Sequence, residues 1–351
     1  MSRRLPLFRH AGPAVLLLAA LGAHAAAPSA VPYPNTNGFG VPFDSGEDWH
    51  RQCMRVAHLA PSPAYAAMPT AEGQLTKATD LYYLKRDQAG TTDGEWRQVR
   101  TQALAGADDA VLMMLYANGY GVPADAERAL YHACRLDTAK AEMESRVAYL
   151  ATRGVARDAH PFDLCDHITS GRMGGVCAYI KETRTDRVRS ARLERFAAAL
   201  PAPARRPFAQ LRQAADAFAR KSVDEVDMSG TGAPGFATNS VARRKNEFLE
   251  TLLRLDQGKL ARAGAGEFAQ LDRQLNIAYR KLLARPSGQD GHPARLGYST
   301  VTREDVRTTE RAWIAYRDAW AAYLAARGAD GDLDAVLAQL TRQRIAQLGR
   351  I

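Results

Sequence analysis

The fold of this chain is decided by an aromatic stretch at residues 310–323, which reads ERAWIAYRDAWAAY. Trp313 and Trp320 are seven residues apart, as are Tyr316 and Tyr323. Because an α-helix has about 3.6 residues per turn, the four rings lie on one face of one helix. A stacking platform for a sugar or another flat ligand is one interpretation. We favour a buried core stripe, because this helix has no other apolar face to bury.

Helical spacing of apolar residues continues on both sides of this stretch. The pattern predicts four helices, the third of which spans 302–327, and a Gly/Pro-rich loop at 285–299 before it. We therefore expect a small helical bundle over residues 241–351. The other three helices are marked by Phe248, Leu252 and Leu255, by Phe268, Leu271, Leu275, Tyr279 and Leu282, and by Leu333, Val336, Leu337 and Leu340.

A motif runs through the same bundle and consists of Leu275, Asn276, Tyr279, Arg311, Trp313, Tyr316, Arg317, Asp318, Trp320 and Arg344. This motif resembles the lysozyme inhibitor LprI-like domain. The resemblance implies a small helical domain of the bacterial envelope, whose family is named for lysozyme inhibition. The family commonly has a Cys where this chain has Trp320, so we expect aromatic packing to replace a cross-link. Arg317 and Asp318 point in different directions on the helix, and each is expected to pair with another helix.

An earlier stretch, DDAVLMMLYANGYGVP at 108–123, resembles one Sel-like repeat, a helix–turn–helix unit related to tetratricopeptide repeats. The unit covers about residues 105–135. Gly119 and Gly121 permit a turn with positive φ, and Asp125 is placed to cap the second helix. A second unit at 139–154 is degenerate. Because solenoids need about three units to bury a continuous core, we expect a packing module here.

The first 25 residues have the layout of a signal peptide. Arg3, Arg4 and Arg9 precede a short apolar run at 14–21, and small residues flank His24. The run is shorter than the roughly 20 residues of a membrane-spanning helix. We therefore expect export to the periplasm or the medium, cleavage near Ala25, and a mature chain without a membrane span.

Four cysteines remain after such cleavage, and an even number in an exported chain predicts disulfides. Cys165 and Cys177 are close in sequence with glycines between them, so we favour this pair. Cys53 and Cys134 then form the second pair by elimination. The alternative is a metal site with His167 as a further ligand, but the close Cys spacing of structural zinc sites is missing.

The charge of the chain bears on its partners. The net charge is +9, with 46% hydrophobic and 24% charged residues, which are ordinary values for a globular chain. A basic surface suits anionic partners, but export argues against nucleic acid. Lysozymes are usually basic, so an inhibitor gains from acidic surface. Asp330, Asp332 and Asp334 form a local acidic patch that could serve.

Candidate catalytic groups are few. Asp224, Glu225 and Asp227 precede a Gly-rich stretch, and paired carboxylates can cleave a glycosidic bond. Carboxylates in such a place are far more often caps or solvated charges. Cys165 and His167 could form a nucleophile and base, but an oxidised Cys cannot attack. No phosphate-binding Gly loop, nucleophile elbow or zinc helix occurs in the sequence.

These patterns together predict an all-α protein in two parts. A helical domain at 26–227 holds the hairpin repeat and the disulfide loop at 165–177, a linker follows at 228–240, and the LprI-like domain occupies 241–351. We expect a non-enzyme without cofactor or metal, which binds a protein such as lysozyme or another wall-cleaving enzyme. The alternative is an envelope hydrolase that acts on cell-wall glycan with Glu225 and Asp227.

Overall fold

The computed structural model describes residues 32–68, 76–152, 160–288 and 292–351. Throughout these ranges the chain is helical and without β-strands, and two isolated bridges join residues of the 285–302 region. The predicted all-α fold is therefore confirmed. The predicted signal peptide lies outside the described residues. None of the helices in the described ranges combines the length and the apolar character that crossing a bilayer requires.

Eight helices build the N-terminal half of the described chain. They are α1 (Asp48–Val56), α2 (Pro63–Ala67), α3 (Lys77–Asp87), α4 (Asp93–Ala105), α5 (Asp109–Asn118), α6 (Ala126–Arg135), α7 (Lys140–Thr152) and α8 (Gly171–Ala199). Five more follow: α9 (Ala202–Lys221), α10 (Ala233–Asp256), α11 (Glu267–Leu283), α12 (Arg303–Arg327) and α13 (Leu333–Leu348).

The buried apolar residues form two cores that share the long helix α8. The first core runs from Phe39 to Ile180, and the second from Leu193 to Leu348. The division therefore falls inside α8, between Ile180 and Leu193. Helix α9 and the C-terminal bundle belong to one core, because α9 packs along α12.

This arrangement differs from the expected linker at 228–240. Helix α10 begins at Ala233, so residues 233–240 are helical and a loop remains only at 228–232. Pro234 lies in the first turn of α10. Proline is tolerated there because the first-turn N–H groups have no partner within the helix. The stretch at 228–240 thus contains the start of α10, and the prediction of a linker is wrong for residues 233–240.

Helices α5 and α6 form the hairpin that the glycine pattern predicted. Gly119 and Gly121 have φ of 69° and 62°, and a side chain at Gly121 would collide with Trp96. Asp125 caps α6, with its Oδ1 accepting from Arg128 N at 2.9 Å. The local geometry follows the expectation, while the assignment to the Sel-like family stays a prediction.

Both disulfides lie in or beside the first core. Cys53 on α1 is bonded to Cys134 on α6, and Cys165 is bonded to Cys177 on α8. The second is the pair that the spacing favoured, and the first is the pair that elimination left. Nδ1 of His167 lies 3.0 Å from Ser145 Oγ. Across the described ranges, no cluster of His, Cys, Asp and Glu side chains is arranged to hold a metal ion.

A buried polar cluster inside the first core is already closed by its own members. The carboxylate of Asp109 accepts from Tyr65 Oη at 2.9 Å and from Arg135 Nε at 3.0 Å, and lies 2.7 Å from His132 Nδ1. Arg135 also donates to main-chain oxygens of the Pro63–Ala67 region. The cluster therefore ties α2 to α5 and α6, and it offers no open face to a ligand.

Candidate protein-binding groove

The aromatic stripe of α12 lies in the second core. Trp313 and Tyr316 are 2% and 4% exposed, and Trp320 and Tyr323 are fully buried. Tyr316 stacks on Phe218 of α9, with ring centroids 5.8 Å apart. The stripe is therefore packing surface, as the lack of another apolar face on α12 led us to expect.

A buried arginine joins this bundle to the preceding part of the chain. Arg344 on α13 donates from Nε to Glu310 Oε2 at 2.8 Å. Its Nη1 and Nη2 donate to the two oxygens of Glu225 at 2.9 and 2.6 Å. Burial alone would lower the pKa of Arg344, but the two carboxylates outweigh it and raise the pKa above its usual value. Arg344 therefore stays charged, as a buried cation with two partners.

This ion pair removes the support for a glycan hydrolase. Both oxygens of Glu225 are engaged by Arg344. Oδ1 of Asp227 accepts from the backbone N–H groups of Thr300 and Ser229, and these bonds hold its pKa below the usual range. A general acid needs a raised pKa, and a base needs a free oxygen near its proton. Glu225 therefore has no free oxygen to act as a base, and the lowered pKa of Asp227 is the opposite of what a general acid needs.

An open groove lies between α11 and α12. Helix α11 packs against α13 and buries only two of its side chains, Leu275 and Leu282. The space left toward α12 has a volume of about 630 Å³. It is lined by Phe268, Ala269, Asp272 and Arg273 of α11, by Arg317, Asp318 and Ala321 of α12, and by Leu337 of α13. We call it the α11–α12 groove.

An ion pair between Arg317 of α12 and Asp272 of α11 spans this groove. Asn276 Nδ2 donates to the carboxylate of Asp272 at 3.2 Å. Arg317 lies 3.9 Å from Asp272 and pairs with Asp318 at 2.8 Å. The guanidinium of Arg317 also lies over the Trp313 ring, 5.4 Å from its centroid. The prediction that Asp318 pairs with another helix is wrong, because Arg317 folds back toward its neighbour along the Trp313 ring.

The ten motif residues divide into an interior group and a surface group. The interior group is Leu275, Trp313, Tyr316, Trp320 and Arg344, which are all buried. The surface group is Asn276, Tyr279, Arg311, Arg317 and Asp318, which are exposed or half-buried. Arg311 pairs with Glu304 at 2.9 Å. The interior group fixes the bundle, and most of the surface group lies at or beside the α11–α12 groove.

Two residues of this region were missed from sequence. Asp272 lines the groove and was given no role, although it stands four residues before Asn276 on the same helix face. Glu310 was quoted with the motif but assigned no partner. A carboxylate three residues before Trp313, on the buried face of α12, is itself a signal that a buried cation must lie opposite. Helical periodicity could therefore have indicated Glu310, but not that its partner is Arg344.

The predicted acidic patch lies at the turn between α12 and α13. Asp330, Asp332 and Asp334 are all exposed. Asp334 stands in the first turn of α13, three residues before the groove residue Leu337. One helical turn therefore separates this patch from the end of the α11–α12 groove.

The fold and the groove define the class: an all-α chain whose C-terminal bundle carries an open groove of mixed charge above a packed aromatic core. Residues 256–348 match the family model of Lysozyme inhibitor LprI. The match begins at the last residue of α10 and ends at the last residue of α13, so Glu225 lies outside it. The expected resemblance is thus confirmed for this part of the chain. Comparison with curated proteins and with solved structures gave no match.

Proposed function

We propose that this chain is an exported bacterial envelope protein that binds a lysozyme or a related wall-cleaving enzyme through the α11–α12 groove. The observation that carries the proposal is the position of the groove. It lies wholly within the residues that match the lysozyme inhibitor family, and it gathers exposed motif residues of two helices. The partner is a protein, since this family is named for inhibiting one.

The charges of the groove suit a basic partner locally, although the chain as a whole is basic. The side chains of Asp272 and Asp318 are 41% and 60% exposed, while Arg317 between them is 23% exposed. These two carboxylates are therefore more exposed than Arg317, although Arg273, the second cation of the lining, is exposed as well. Arg and Lys side chains of a lysozyme can reach these oxygens. The side chains of Phe268 and Leu337, which also line the groove, add apolar contact. Favourable contacts of this kind set the dissociation rate more than the encounter rate.

Binding to a lysozyme tests the proposal directly. The mature chain, beginning after Ala25, is immobilised and titrated with lysozyme, and its effect on the clearing of a cell-wall suspension is measured in parallel. We expect binding together with slower clearing. Replacing Asp272 and Asp318 by Ala should raise the dissociation constant about tenfold or more, since each charge-assisted contact is worth about 1.5–3 kcal/mol.

Two controls separate the groove from other acidic surface. Glu194→Ala removes an exposed carboxylate on α8, outside the family match, and should leave binding unchanged. A triple Ala variant of Asp330, Asp332 and Asp334 tests the neighbouring acidic patch. Equal binding by the Asp272/Asp318 variant and the parent would exclude the groove. Release of soluble glycan from purified peptidoglycan by the chain itself would instead favour the hydrolase alternative.

A further inference from the structure

A second cleft lies at Glu225, the partner of Arg344, and shares no lining residue with the α11–α12 groove. It has a volume of about 390 Å³ and is formed by the start of α10, the Ser222–Glu225 turn and the end of α13. Three arginines, Arg243, Arg244 and Arg350, belong to its lining. A volume of this size is within the range of small-ligand pockets. We call it the arginine cleft.

Arg244, the buried arginine of the three, has too few hydrogen-bond partners. The side chain of Arg244 is 5% exposed, and its one ion pair among the described residues is with Glu247 at 3.2 Å. Its Nε is buried and has no hydrogen-bond partner in the structure. Guanidinium groups that are removed from water are normally hydrogen-bonded on all sides, because an unmade bond costs free energy. Arg244 is therefore an incompletely satisfied cation at the wall of a cleft.

Arg243 and Arg350, the two exposed arginines, add positive charge to the same lining. Within the described ranges, neither Arg243 nor Arg350 has a carboxylate within ion-pair distance. Burial together with the nearby charges of Arg243, Arg344 and Arg350 lowers the pKa of Arg244 to about 10, even though Glu247 opposes the shift. Glu247 is the carboxylate whose charge interacts with all three of Arg243, Arg244 and Arg350.

The acidic groups of the cleft are already in use. Glu225 is held by both terminal nitrogens of Arg344, and Asp227 accepts from Thr300 and Ser229. Gln347 donates to Glu247 at 3.1 Å. The main-chain oxygen of Ile351 accepts from Arg285 at 2.9 Å. These groups still contribute negative charge, because a backbone hydrogen bond does not neutralise a carboxylate, but none of them forms an ion pair with Arg243 or Arg350 in the described ranges.

One wall of the arginine cleft is apolar. Phe236, in the first turns of α10, is 64% exposed, which is unusual for so large a ring. Ala233 and Val226 lie in the same lining. The first N–H groups of α10 add a partial positive charge at this end of the cleft. The cleft therefore offers cationic donors beside an aromatic surface.

We propose that the arginine cleft binds a small ligand with an oxyanion group, which Arg243, Arg244 and Arg350 hold, and an apolar part that lies on Phe236. Carboxylate and phosphate share this chemistry, since both accept paired hydrogen bonds from guanidinium groups. The site is separate from the α11–α12 groove, so the inference does not depend on the proposed function.

Isothermal titration of the mature chain tests the site with three probes: 3-phenylpropionate, phenyl phosphate and the neutral 3-phenylpropan-1-ol. We expect at least one of the two anions to bind at millimolar concentration or below, with weaker binding as salt is raised. The neutral alcohol should not bind. Binding of only one anion identifies the source of the oxyanion group, and binding of neither overturns the proposal.

Substitutions locate the binding. The double variant Arg243→Gln/Arg350→Gln removes two exposed charges without partners, so it should fold like the parent and raise the dissociation constant about tenfold or more. Arg244→Gln should have the same effect. Arg254→Gln is the matched control, because Arg254 is an exposed arginine of the same helix that pairs with Glu250. Unchanged affinity in the double variant would place the ligand elsewhere and overturn the proposal.

Discussion

Arg344 on α13 holds the carboxylate of Glu225 in a two-point ion pair, across a separation of 119 residues. Glu310, which contacts the same guanidinium, belongs to the part of the chain that matches the lysozyme inhibitor family, whereas Glu225 lies before it. The pair is buried, with side-chain exposures of 0% and 7%. The C-terminal bundle of this protein is thus completed by a residue outside the family match.

Breaking this ion pair should destabilise the second core strongly. Arg344→Met leaves Glu225 and Glu310 buried without a cation, and removing one partner of a buried pair costs about 3–5 kcal/mol. The free energy of unfolding from urea titration measures the loss. Arg342→Met is the matched control on the same helix, since its pair with Glu267 is partly exposed and its loss should cost much less. Equal losses in the two variants would contradict the assigned role of Arg344.

The aromatic stripe gives a second stability prediction. Trp313→Ala and Trp320→Ala remove fully packed rings, which should cost about 3–5 kcal/mol each. Ile314→Ala, next to Trp313 but 38% exposed, should cost much less. Thermal melts of the three variants make the comparison. Parent-like melting of both Trp variants, with loss of lysozyme or glycan binding, would mean that the stripe is a binding surface after all.

The division of the two cores predicts which fragments fold. A fragment of residues 241–351 lacks Glu225 and all of α9, against which α12 packs, so it should show no cooperative melt by circular dichroism. A fragment of residues 181–351 keeps α9, α10 and the part of α8 that belongs to the second core, and it should melt cooperatively. A cooperative melt of the shorter fragment would restore the independent C-terminal domain that the sequence suggested.

Acid should weaken the first core through Glu47. Its carboxylate accepts from the backbone N–H of Asp44, from Lys140 and from Trp49, and these bonds lower the pKa of Glu47 to about 2. A lowered folded-state pKa contributes stability above the unfolded value of about 4.3, and the contribution is lost as pH falls toward 2. The melting temperature of Glu47→Gln should therefore lie below that of the parent at neutral pH.

The same reasoning predicts that the difference in melting temperature between the parent and Glu47→Gln narrows as the pH falls below about 4. Glu194→Gln serves as the control, because Glu194 is exposed and forms no ion pair within the described ranges. Its melting temperature should follow that of the parent at every pH. A gap for Glu47→Gln that is independent of pH would show that the contacts of Glu47 do not depend on its charge.

Much of the secondary structure could be predicted from the sequence, because it depends on neighbours along the chain. The spacing of Trp313, Tyr316 and Trp320 indicated both a helix and its buried face, and both are observed. Gly119 marked the end of α5 because a left-handed turn favours glycine. These features are local, since a helix repeats within four residues.

The two disulfides differ in how far local sequence could predict them. Cys165 and Cys177 are close enough in sequence for a turn to join them. Cys53 and Cys134 are 81 residues apart, and only elimination pointed to their pairing. Counting cysteines was sufficient here because four cysteines allow only three pairings.

Only the tertiary structure decided where the two cores divide and which charges meet. The sequence placed a boundary at residues 228–240, but helix α10, which belongs to the second core, begins within that stretch at Ala233. Glu225 looked like a candidate catalytic acid until the fold brought Arg344 to it. The physical reason is the same in both cases. The cost of burying a charge or an apolar face is set by whatever lies opposite in space, and nothing in the local sequence specifies that partner.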